Sequence, residues 1–274
     1  MEDRVLAHQI VAREGATPDK AMLVLHGILG MGRNFHSIAK SLSEAAPSWC
    51  FVLCDLRGHG QSLGLAGPHT LAAAADDLRR VAARLAVPVR GVMGHSFGGK
   101  VALQLVASMP VDVACVLDSN PGPRPSGAGE GDGVSEVVTA LLQLPPTFPS
   151  REAFQEAMRA RGFPRAIVEW LSMSVRRAGE AYALTIELAT VRALLADYFA
   201  QDLFGVVEDP TRARRLAFVI GGRSHVFDPS ARARLDAAAA RNPHLSVTEL
   251  PAAGHWIHVD DPRGTLEAIR AAIL

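Results

Sequence analysis

Ser96 lies in a pattern that can build a nucleophile. The residues Val89 to Met93 form an apolar run that suits a buried strand, the sequence GHSFGG follows at positions 94–99, and a helical pattern comes next. A G-x-S-x-G motif between a strand and a helix makes a sharp turn that exposes the serine hydroxyl above the sheet. The pattern therefore predicts a nucleophilic Ser96. It also predicts that the backbone N–H of Phe97, the first helical residue, donates to an oxyanion with help from the helix dipole.

His255 is the candidate base for this nucleophile. A serine hydroxyl is a poor nucleophile at neutral pH unless a base takes its proton, so a histidine must lie on a neighbouring loop. His255 stands in the sequence AGHW, after the last strand pattern and before the terminal helix. His258, three residues further on, fits a packing or hydrogen-bonding role better. Six other histidines are interpreted as surface or loop residues: His8, His36, His59, His69, His225 and His244.

Short apolar runs alternate with helical patterns along most of the chain. Such alternation predicts the α/β class, with a doubly wound and mostly parallel central sheet that has helices on both faces. The candidate strands are Met22 to Leu25, Cys50 to Cys54, Val89 to Met93, Val113 to Leu117, Leu216 to Ile220 and Ser246 to Leu250. The candidate helices are Phe35 to Ala45, Leu71 to Leu85, Gly98 to Met109, Ser230 to Arg241 and Pro262 to Ile273.

The alternation stops after the fourth candidate strand. Pro121 to Gly133 is rich in Pro and Gly, which indicates a loop, and Glu136 to Phe204 is helical in pattern with no convincing strand. We interpret this part as a helical lid, or cap, inserted into the core, because a lid can shelter a site from water and still move. The expected division is a core of residues 1–125 and 206–274 and a lid of residues 126–205. The alternative is a larger helical layer.

The composition favours a globular protein with a balanced charge. Among 274 residues, hydrophobic types make up 49% and charged types 20%, and Lys plus Arg equal Asp plus Glu at 28 each. This balance gives no reason to expect nucleic acid or an anionic membrane as a partner, and a small neutral or mildly polar substrate fits better. No run approaches about 18 uninterrupted apolar residues, so stable membrane insertion is not expected. The oligomeric state is left open.

Cysteine and glycine patterns bear on the compartment and on cofactors. Cys50, Cys54 and Cys115 lie in or beside apolar runs, which favours free thiols and a reducing compartment. We therefore expect a cytoplasmic protein, or an organellar one if a transit peptide has been removed. The histidines and cysteines match no metal-ligand spacing, and the glycine-rich run at 27–32 lacks the Lys-Ser/Thr ending of a phosphate loop. No metal and no cofactor is predicted.

Three further motifs add to the serine motif in a fixed order. HGILG stands at 26–30 after the first candidate strand, DLRGHGQS stands at 55–62, and GHW stands at 254–256. With GHSFGG between them, the chain resembles the α/β-hydrolase fold family over nearly its whole length. The resemblance implies that the backbone N–H of Ile28 joins that of Phe97 in an oxyanion hole. It also implies that His26, Asp55 and Arg57 brace loops rather than take part in the chemistry.

The acid that should orient His255 departs from the commonest family pattern. Many members place an aspartate two or three residues beyond a glycine after the strand that follows the lid, but here that place reads GGRSH, at 221–225. Asp118 instead ends the strand Val113 to Leu117, where a carboxylate points into the crevice of an open α/β sheet. The chain thus resembles small bacterial and organellar serine esterases whose acid follows the family's sixth strand. Asp228 is the rival acid.

The motifs together predict a Ser-His-Asp hydrolase that works through an acyl-enzyme. The expected reaction is cleavage of a carboxylic ester or thioester with a small to medium acyl group. Candidate pocket residues are Leu29, Phe148, Trp170 and Trp256. The apolar lid side chains could line an acyl pocket or pack within the lid, and their helical spacing favours packing: Leu141, Leu142, Phe148, Phe154, Trp170, Leu171, Leu194 and Phe199.

Two other functions stay open at the level of sequence. The same triad can cleave a carbon–carbon bond or a lactone, and hydrolase scaffolds can also serve lyases or ligand receptors. Turnover of β-diketones without turnover of simple esters would favour the first. Tight ligand binding without a burst from activated esters would favour the second.

Overall fold

Seven strands form the main sheet of the computed structural model, which describes residues 4–124 and 133–274. Their order across the sheet is β1-β3-β2-β4-β5-β8-β9, and only the pairing of β1 with β3 is antiparallel within it. This arrangement confirms the predicted fold class. The strands are β1 His8–Val11, β2 Lys20–Leu25, β3 Trp49–Cys54, β4 Val89–His95, β5 Val111–Leu117, β6 Val175–Ala178, β7 Ala181–Leu184, β8 Ala213–Gly221 and β9 Leu245–Leu250.

Helices cover both faces of this sheet. Leu23 and Leu25 of β2 pack with one buried cluster, while Met22 and Val24 pack with the other, because successive strand side chains point to opposite faces. The first cluster takes in α2, α3 and α9, and the second takes in α1 and α11. The helices are α1 His36–Ala45, α2 Leu71–Ala82, α3 Phe97–Ser108, α4 Gly133–Leu142, α5 Arg151–Arg159, α6 Arg165–Ser172, α7 Leu188–Ala200, α8 Phe204–Glu208, α9 Pro229–Arg241, α10 Ile257–Asp260 and α11 Pro262–Ile273.

The sequence did not predict strand β1. Its residues HQIV lie at the edge of the sheet, and only Val11 is buried, so the segment has neither an apolar run nor a clear alternation. It pairs with β3 through a register that sets His8 opposite Cys54. Tertiary pairing, rather than local pattern, makes this segment a strand.

The expectation that residues 136–204 contain no strand is wrong. Strands β6 and β7 form an antiparallel hairpin there, and Gly179 takes a positive φ of 65° at its turn. The hairpin carries Arg176 and Arg177 and is mostly half-buried or exposed, which is why its pattern does not resemble a core strand. The division into core and cap stays a prediction, and residues 126–132 of the predicted lid lie outside the described residues.

Backbone contacts join the cap hairpin to the core. The N–H of Glu187 donates to the carbonyl of Gly58 at 2.8 Å, and the N–H of Gly60 donates to the carbonyl of Thr185 at 2.9 Å. These two bonds hold the end of β7 against the loop that follows β3. The hairpin of the predicted cap therefore contacts the loop that carries the DLRGHGQS motif.

Lys100 makes a second connection between cap and core. Its ammonium, fully buried on α3, donates to the carbonyls of Gly122, Tyr198 and Gln201 at 2.8, 2.6 and 2.8 Å. Burial lowers the pKa of Lys100 to about 8. Because a buried ammonium needs its donors satisfied, these contacts tie the C-terminal end of α7 to the helix that follows Ser96. Within the described residues, no helix combines the length and the apolar character needed to cross a bilayer.

Gly98 lets α3 approach β2 closely. A Cβ at Gly98 would lie 2.5 Å from the carbonyl oxygen of His26 and 2.7 Å from that of Leu25. Such distances lie inside van der Waals contact, so only glycine fits without movement of the backbone. Gly205 of α8 is the opposite case, because a Cβ there would meet nothing within 4 Å.

We expect Gly98→Ala and Gly205→Ala to change stability in opposite directions. Helix propensity alone favours alanine by up to about 1 kcal/mol, so Gly205→Ala is expected to be neutral or stabilising. Gly98→Ala is expected to lower the free energy of unfolding by about 1–3 kcal/mol, because the new methyl group overpacks the α3–β2 contact. Urea unfolding followed by circular dichroism measures both. Equal stability of Gly98→Ala and the unmodified protein would contradict the close approach.

Candidate active site

Ser96 lies at the turn between β4 and α3 in a strained backbone conformation. Its φ of 52° and ψ of −119° fall outside the regions that side-chain-bearing residues ordinarily occupy. The N–H of Ser96 donates to the carbonyl of Leu117 at 2.9 Å, which continues the pairing of β4 with β5 past the strand ends. The sheet therefore holds the turn that the G-x-S-x-G motif predicted.

The structure brings His255 between Ser96 and Asp118. The Nε2 atom of His255 lies 3.0 Å from the hydroxyl oxygen of Ser96, and its Nδ1 atom lies 2.7 Å from Oδ2 of Asp118. A neutral imidazole with its proton on Nδ1 donates to the carboxylate and leaves Nε2 free to accept from the serine. The side chain of His255 is 38% exposed, whereas that of Asp118 is fully buried.

Three donors surround the buried carboxylate of Asp118. Besides His255, the N–H of Gly221 donates to Oδ1 at 2.9 Å, and the hydroxyl of Ser224 donates to Oδ2 at 2.5 Å. A buried charge is stable only when it is paired and hydrogen-bonded, and these contacts meet that need. Asp118 follows β5 with a positive φ of 44°.

Ser224 is a further residue of the site that the sequence motifs did not predict. It stands in the GGRSH segment, where the commonest family pattern has the triad acid and this chain has no carboxylate. That departure from the pattern was the signal that could have indicated another role for this segment. Its hydroxyl contacts the carboxylate of Asp118 directly, and it also accepts the N–H of Val226 at 3.3 Å. Ser224 therefore orients the carboxylate rather than replacing it.

Asp228 lies apart from this hydrogen-bonded chain. It is exposed at the N-cap of α9, where its carboxylate accepts the N–H of Ala231 at 2.9 Å. This is the ordinary role of an aspartate before a helix with proline at its first turn. The geometry thus places Asp118, not Asp228, beside His255.

The two predicted oxyanion donors flank Ser96. Phe97 is the first residue of α3, so its N–H is one of the amides that a helix leaves without an internal partner. Ile28 follows Gly27, where an added Cβ would lie 3.5 Å from the Cβ of Ser96. Among the described residues, the N–H of Ile28 has no hydrogen-bond acceptor. The next residue, Leu29, takes a positive φ of 62°.

Two neutral histidines hold the loop that carries Ile28. The Nε2 atom of His59 accepts the N–H of Leu29 at 3.0 Å, and that of His26 accepts the N–H of Leu56 at 3.0 Å. Their Nδ1 atoms lie 2.9 and 2.7 Å from the carbonyls of Arg57 and Gly27. Burial lowers the pKa of His59 to about 3 and that of His26 to about 4, so both rings are neutral at pH 7.

His59 lies in a loop, as one of the two interpretations of the sequence had it, but it is not a surface residue. It is fully buried, with its ring centroid 5.0 Å from that of His26. The DLRGHGQS motif could have indicated this, since its histidine stands between two glycines of positive φ, Gly58 and Gly60, which turn the chain inward.

Asp55 and Arg57 make the bracing contacts that the resemblance implies. The carboxylate of Asp55 accepts the N–H of Gly32 at 2.9 Å and that of Gln61 at 3.0 Å. The guanidinium of Arg57 is buried and donates to Asp77 at 2.6 Å. Neither residue contacts Ser96 or His255 in the described hydrogen-bond network.

His95 and His258 pack around the His255 loop. The Nε2 atom of His95 lies 2.8 Å from the carbonyl oxygen of His255, which fixes the backbone of the proposed base. His258 stacks on Phe35, with ring centroids 4.7 Å apart, as a packing residue would. Burial lowers the pKa of His258 to about 4 and lowers that of His95 as well.

The four candidate pocket residues occupy different surroundings. Leu29 is buried within the loop described above, and Phe148 is buried against Phe154 with ring centroids 5.4 Å apart. Trp170 and Trp256 are half-buried, and their ring centroids lie 5.6 Å apart. The tryptophan pair therefore lies beside His255, while Phe148 packs inside the cap.

Other reactive side chains form no metal site in the described residues. The structure shows no group of three or more His, Cys, Asp or Glu side chains that could hold an ion there. The three cysteines are buried and free, and burial raises the pKa of each thiol.

Comparison with known proteins decides the family. The family model for the alpha/beta hydrolase fold matches residues 20–262. The chain belongs to the α/β-hydrolase fold family. Mouse sn-1-specific diacylglycerol lipase ABHD11 is 26% identical over 281 residues, which cover 96% of this hydrolase and 83% of the mouse protein.

Two further comparisons involve an enzyme from Mycobacterium tuberculosis and a solved structure. Lipase LipV of that bacterium (strain ATCC 25618 / H37Rv) is 36% identical over 149 residues, 53% of this hydrolase and 52% of LipV. The structure of a marine microorganism esterase superposes with a TM-score of 0.82 at 21% identity, covering 98% of this chain and 99% of that one. Together with the family match, the names of the relatives support a carboxylic ester hydrolase.

We expect Asp118→Asn and Asp228→Asn to separate the two candidate acids. Asparagine at 118 cannot stabilise the imidazolium and favours the wrong tautomer of His255, so kcat is expected to fall by about 1,000-fold or more. Asp228→Asn keeps a side-chain oxygen at the N-cap and is expected to leave kcat and stability nearly unchanged. Steady-state hydrolysis of an activated ester measures both. Loss of activity in Asp228→Asn alone would transfer the acid role to Asp228.

The buried histidines make stability dependent on pH. In the unfolded chain a histidine titrates near 6.5, whereas His26 titrates at about 4 and His59 at about 3 in the folded protein. The unfolded state therefore binds more protons below pH 6.5, and stability is expected to fall as the pH drops from 6.5 to about 4. For His26 alone the loss is about 3 kcal/mol.

Urea unfolding of His59→Gln between pH 7 and pH 4 tests this linkage. The variant removes one titrating group, so its stability is expected to decline less steeply with acid than that of the unmodified protein. His36→Gln, at an exposed position, is the matched control and keeps the original slope. The same slope in all three proteins would refute the role of the buried rings.

Proposed function

We propose that this chain is a serine hydrolase that cleaves carboxylic esters or thioesters of small to medium acyl groups. One observation carries the proposal: a hydrogen-bonded chain runs from the Ser96 hydroxyl through His255 to Asp118, over 3.0 and 2.7 Å. A nucleophile, a base and an orienting acid in this order are what acyl transfer to serine requires. The names of the relatives support the same class of reaction.

In the first half of the cycle, Ser96 attacks the carbonyl carbon of the substrate. Nε2 of His255 takes the serine proton as the new C–O bond forms, and Asp118 stabilises the imidazolium at Nδ1. The N–H groups of Ile28 and Phe97 donate to the carbonyl oxygen as it gains negative charge. His255 then returns the proton to the leaving alcohol or thiol, and an acyl group stays on Ser96.

In the second half, water replaces the leaving group. His255 takes a proton from the water as it attacks the acyl-enzyme, and the same two amides bind the second oxyanion. Collapse of this intermediate releases the carboxylic acid and returns the proton to Ser96. Every step uses groups of the chain, the substrate and water.

The surroundings of His255 suit a small organic substrate. Trp256 follows the base directly, and Trp170 from the cap packs on it with ring centroids 5.6 Å apart. A paired aromatic surface at the site can contact an apolar acyl or alcohol group and keep water away from the acyl-enzyme. We therefore place the binding of the expected small-molecule substrate on the side of the site that carries this tryptophan pair.

We expect hydrolysis of p-nitrophenyl acetate, butyrate and octanoate, and of acyl-CoA esters of matching length, to depend on Ser96. Ser96→Ala removes the attacking oxygen, so kcat is expected to fall at least about 1,000-fold, to near the rate without enzyme. Ser108→Ala is the matched control, because Ser108 lies at the other end of α3 and its hydroxyl donates to the carbonyl of Leu105. The chain-length profile measures the size of the acyl pocket.

Two results would count against this proposal. Equal turnover by Ser96→Ala and by the unmodified protein would show that another group attacks. No turnover of any ester by the unmodified protein, with turnover of a β-diketone or a lactone, would show that the same triad serves another bond.

A further inference from the structure

Two arginines of the cap converge on one backbone carbonyl. A terminal nitrogen of Arg151 and one of Arg176 each lie 3.2 Å from the carbonyl oxygen of Val175. Arg33 stands two residues beyond Met31, whose sulfur lies 4.0 Å from a terminal nitrogen of Arg176. Burial lowers the pKa of Arg176, and the charges of Arg33 and Arg151 lower it further. Within residues 4–124 and 133–274, none of the three has a carboxylate within ion-pair distance. We call these three side chains the arginine cluster.

Several arginines elsewhere in the described chain, unlike these three, pair with carboxylates. Arg57 pairs with Asp77, Arg232 pairs with Glu249, and Arg234 pairs with Glu208. Arg176 is half-buried, while Arg33 and Arg151 are exposed. Like charges held close together repel one another, and a bound anion would reduce that repulsion. Guanidinium groups also match the oxygens of phosphates and carboxylates through paired hydrogen bonds.

The arginine cluster contacts the loop that carries a proposed oxyanion donor. A terminal nitrogen of Arg176 lies 4.0 Å from the sulfur of Met31. Met31 is three residues beyond Ile28, so their Cα atoms can be at most about 11 Å apart. The positive charge thus lies within reach of a substrate whose carbonyl oxygen binds the N–H of Ile28.

The same cap segment also reaches the opposite side of Ser96. Trp170, six residues before Arg176, packs on Trp256, the neighbour of His255. The segment 170–176 therefore runs from the loop of the base to the loop of the oxyanion donor. A substrate on Ser96 would lie between the two loops that this segment contacts, with the arginine cluster at the Met31 end.

We propose that Arg33, Arg151 and Arg176 bind an anionic group, phosphate or carboxylate, on the ester or thioester substrate. This inference rests on the proposed function and specifies its substrate class. A phosphate would come from the leaving group, as in an acyl-CoA thioester. A carboxylate would come from the acyl part, as in the half-ester of a dicarboxylic acid. The net charge of the chain does not indicate this cluster, because acidic and basic residues cancel when the charges of the whole chain are added.

Matched substrate pairs test the proposal. Butyryl-CoA is compared with butyryl-N-acetylcysteamine, which has the same acyl group and a neutral thiol, and p-nitrophenyl hemisuccinate is compared with p-nitrophenyl butyrate. Arg176→Gln and Arg151→Gln are expected to lower kcat/KM for one anionic substrate by about tenfold or more, and for its neutral partner by less than about twofold. Arg177→Gln is the control, because Arg177 is exposed and donates to Gly179 within its own hairpin.

The substrate pair in which only the charged member loses kcat/KM identifies the source of the anion. A selective loss with butyryl-CoA indicates phosphate, and a selective loss with the hemisuccinate indicates carboxylate. Added NaCl is expected to lower kcat/KM for the responding substrate in the unmodified protein and to have little effect in Arg176→Gln. Equal losses on charged and neutral substrates, or none on either, would overturn the proposal.

A binding experiment keeps this proposal separate from the proposed function. Calorimetry of Ser96→Ala with CoA and with succinate measures anion binding without any turnover. If no ester is hydrolysed but Arg176→Gln weakens binding of either probe about tenfold or more, the proposed function fails and the anion site stands. If Ser96 catalysis is found but neither probe binds and no substrate pair responds, the arginine proposal fails alone.

Discussion

Three strained turns at or just beyond neighbouring strand ends position the residues of the proposed site. Leu29, Ser96 and Asp118 are the non-glycine residues of positive φ in the described chain, and they follow β2, β4 and β5, which are adjacent in the sheet. Each such conformation costs about 1–3 kcal/mol and persists only where its surroundings enforce it. Here the sheet enforces two of them, because the N–H groups of Ser96 and Asp118 bond the carbonyls of Leu117 and Val219 on the next strand.

Neutral, buried histidines hold the third turn, at Leu29, and the loop beside it, because the N–H groups there have a histidine nitrogen rather than a strand carbonyl as acceptor. Leu29 is held by Nε2 of His59, and the neighbouring loop by Nε2 of His26, so each ring must carry its proton on Nδ1. A second proton would remove the acceptor and place a charge in the core. His255 uses the same tautomer for a different purpose, since its free Nε2 faces Ser96. Structural and proposed catalytic imidazoles thus depend on one protonation state.

The cap is held where it can affect the chemistry. Lys100 joins the end of α7 to the helix that follows Ser96, and the backbone bonds of Gly58 and Gly60 join the hairpin to the loop that contains His59. Arg176 on that hairpin then lies against Met31. Movement of the cap would therefore change the proposed anion contacts and the support of the oxyanion loop together.

Local sequence patterns were enough to predict the fold class and to nominate Ser96, His255 and two candidate acids, because strand-to-helix turns with glycine at set positions are local features. The contacts between segments that are distant in sequence could be read only from the folded structure. Asp118 lies beside His255 with Ser224 as a further donor, while Asp228 caps a helix. The strands β1, β6 and β7 were equally unpredictable, since edge strands and cap hairpins acquire their partners through long-range pairing. Side chains far apart in sequence meet only when the sheet aligns their strand ends, and no local periodicity records that alignment.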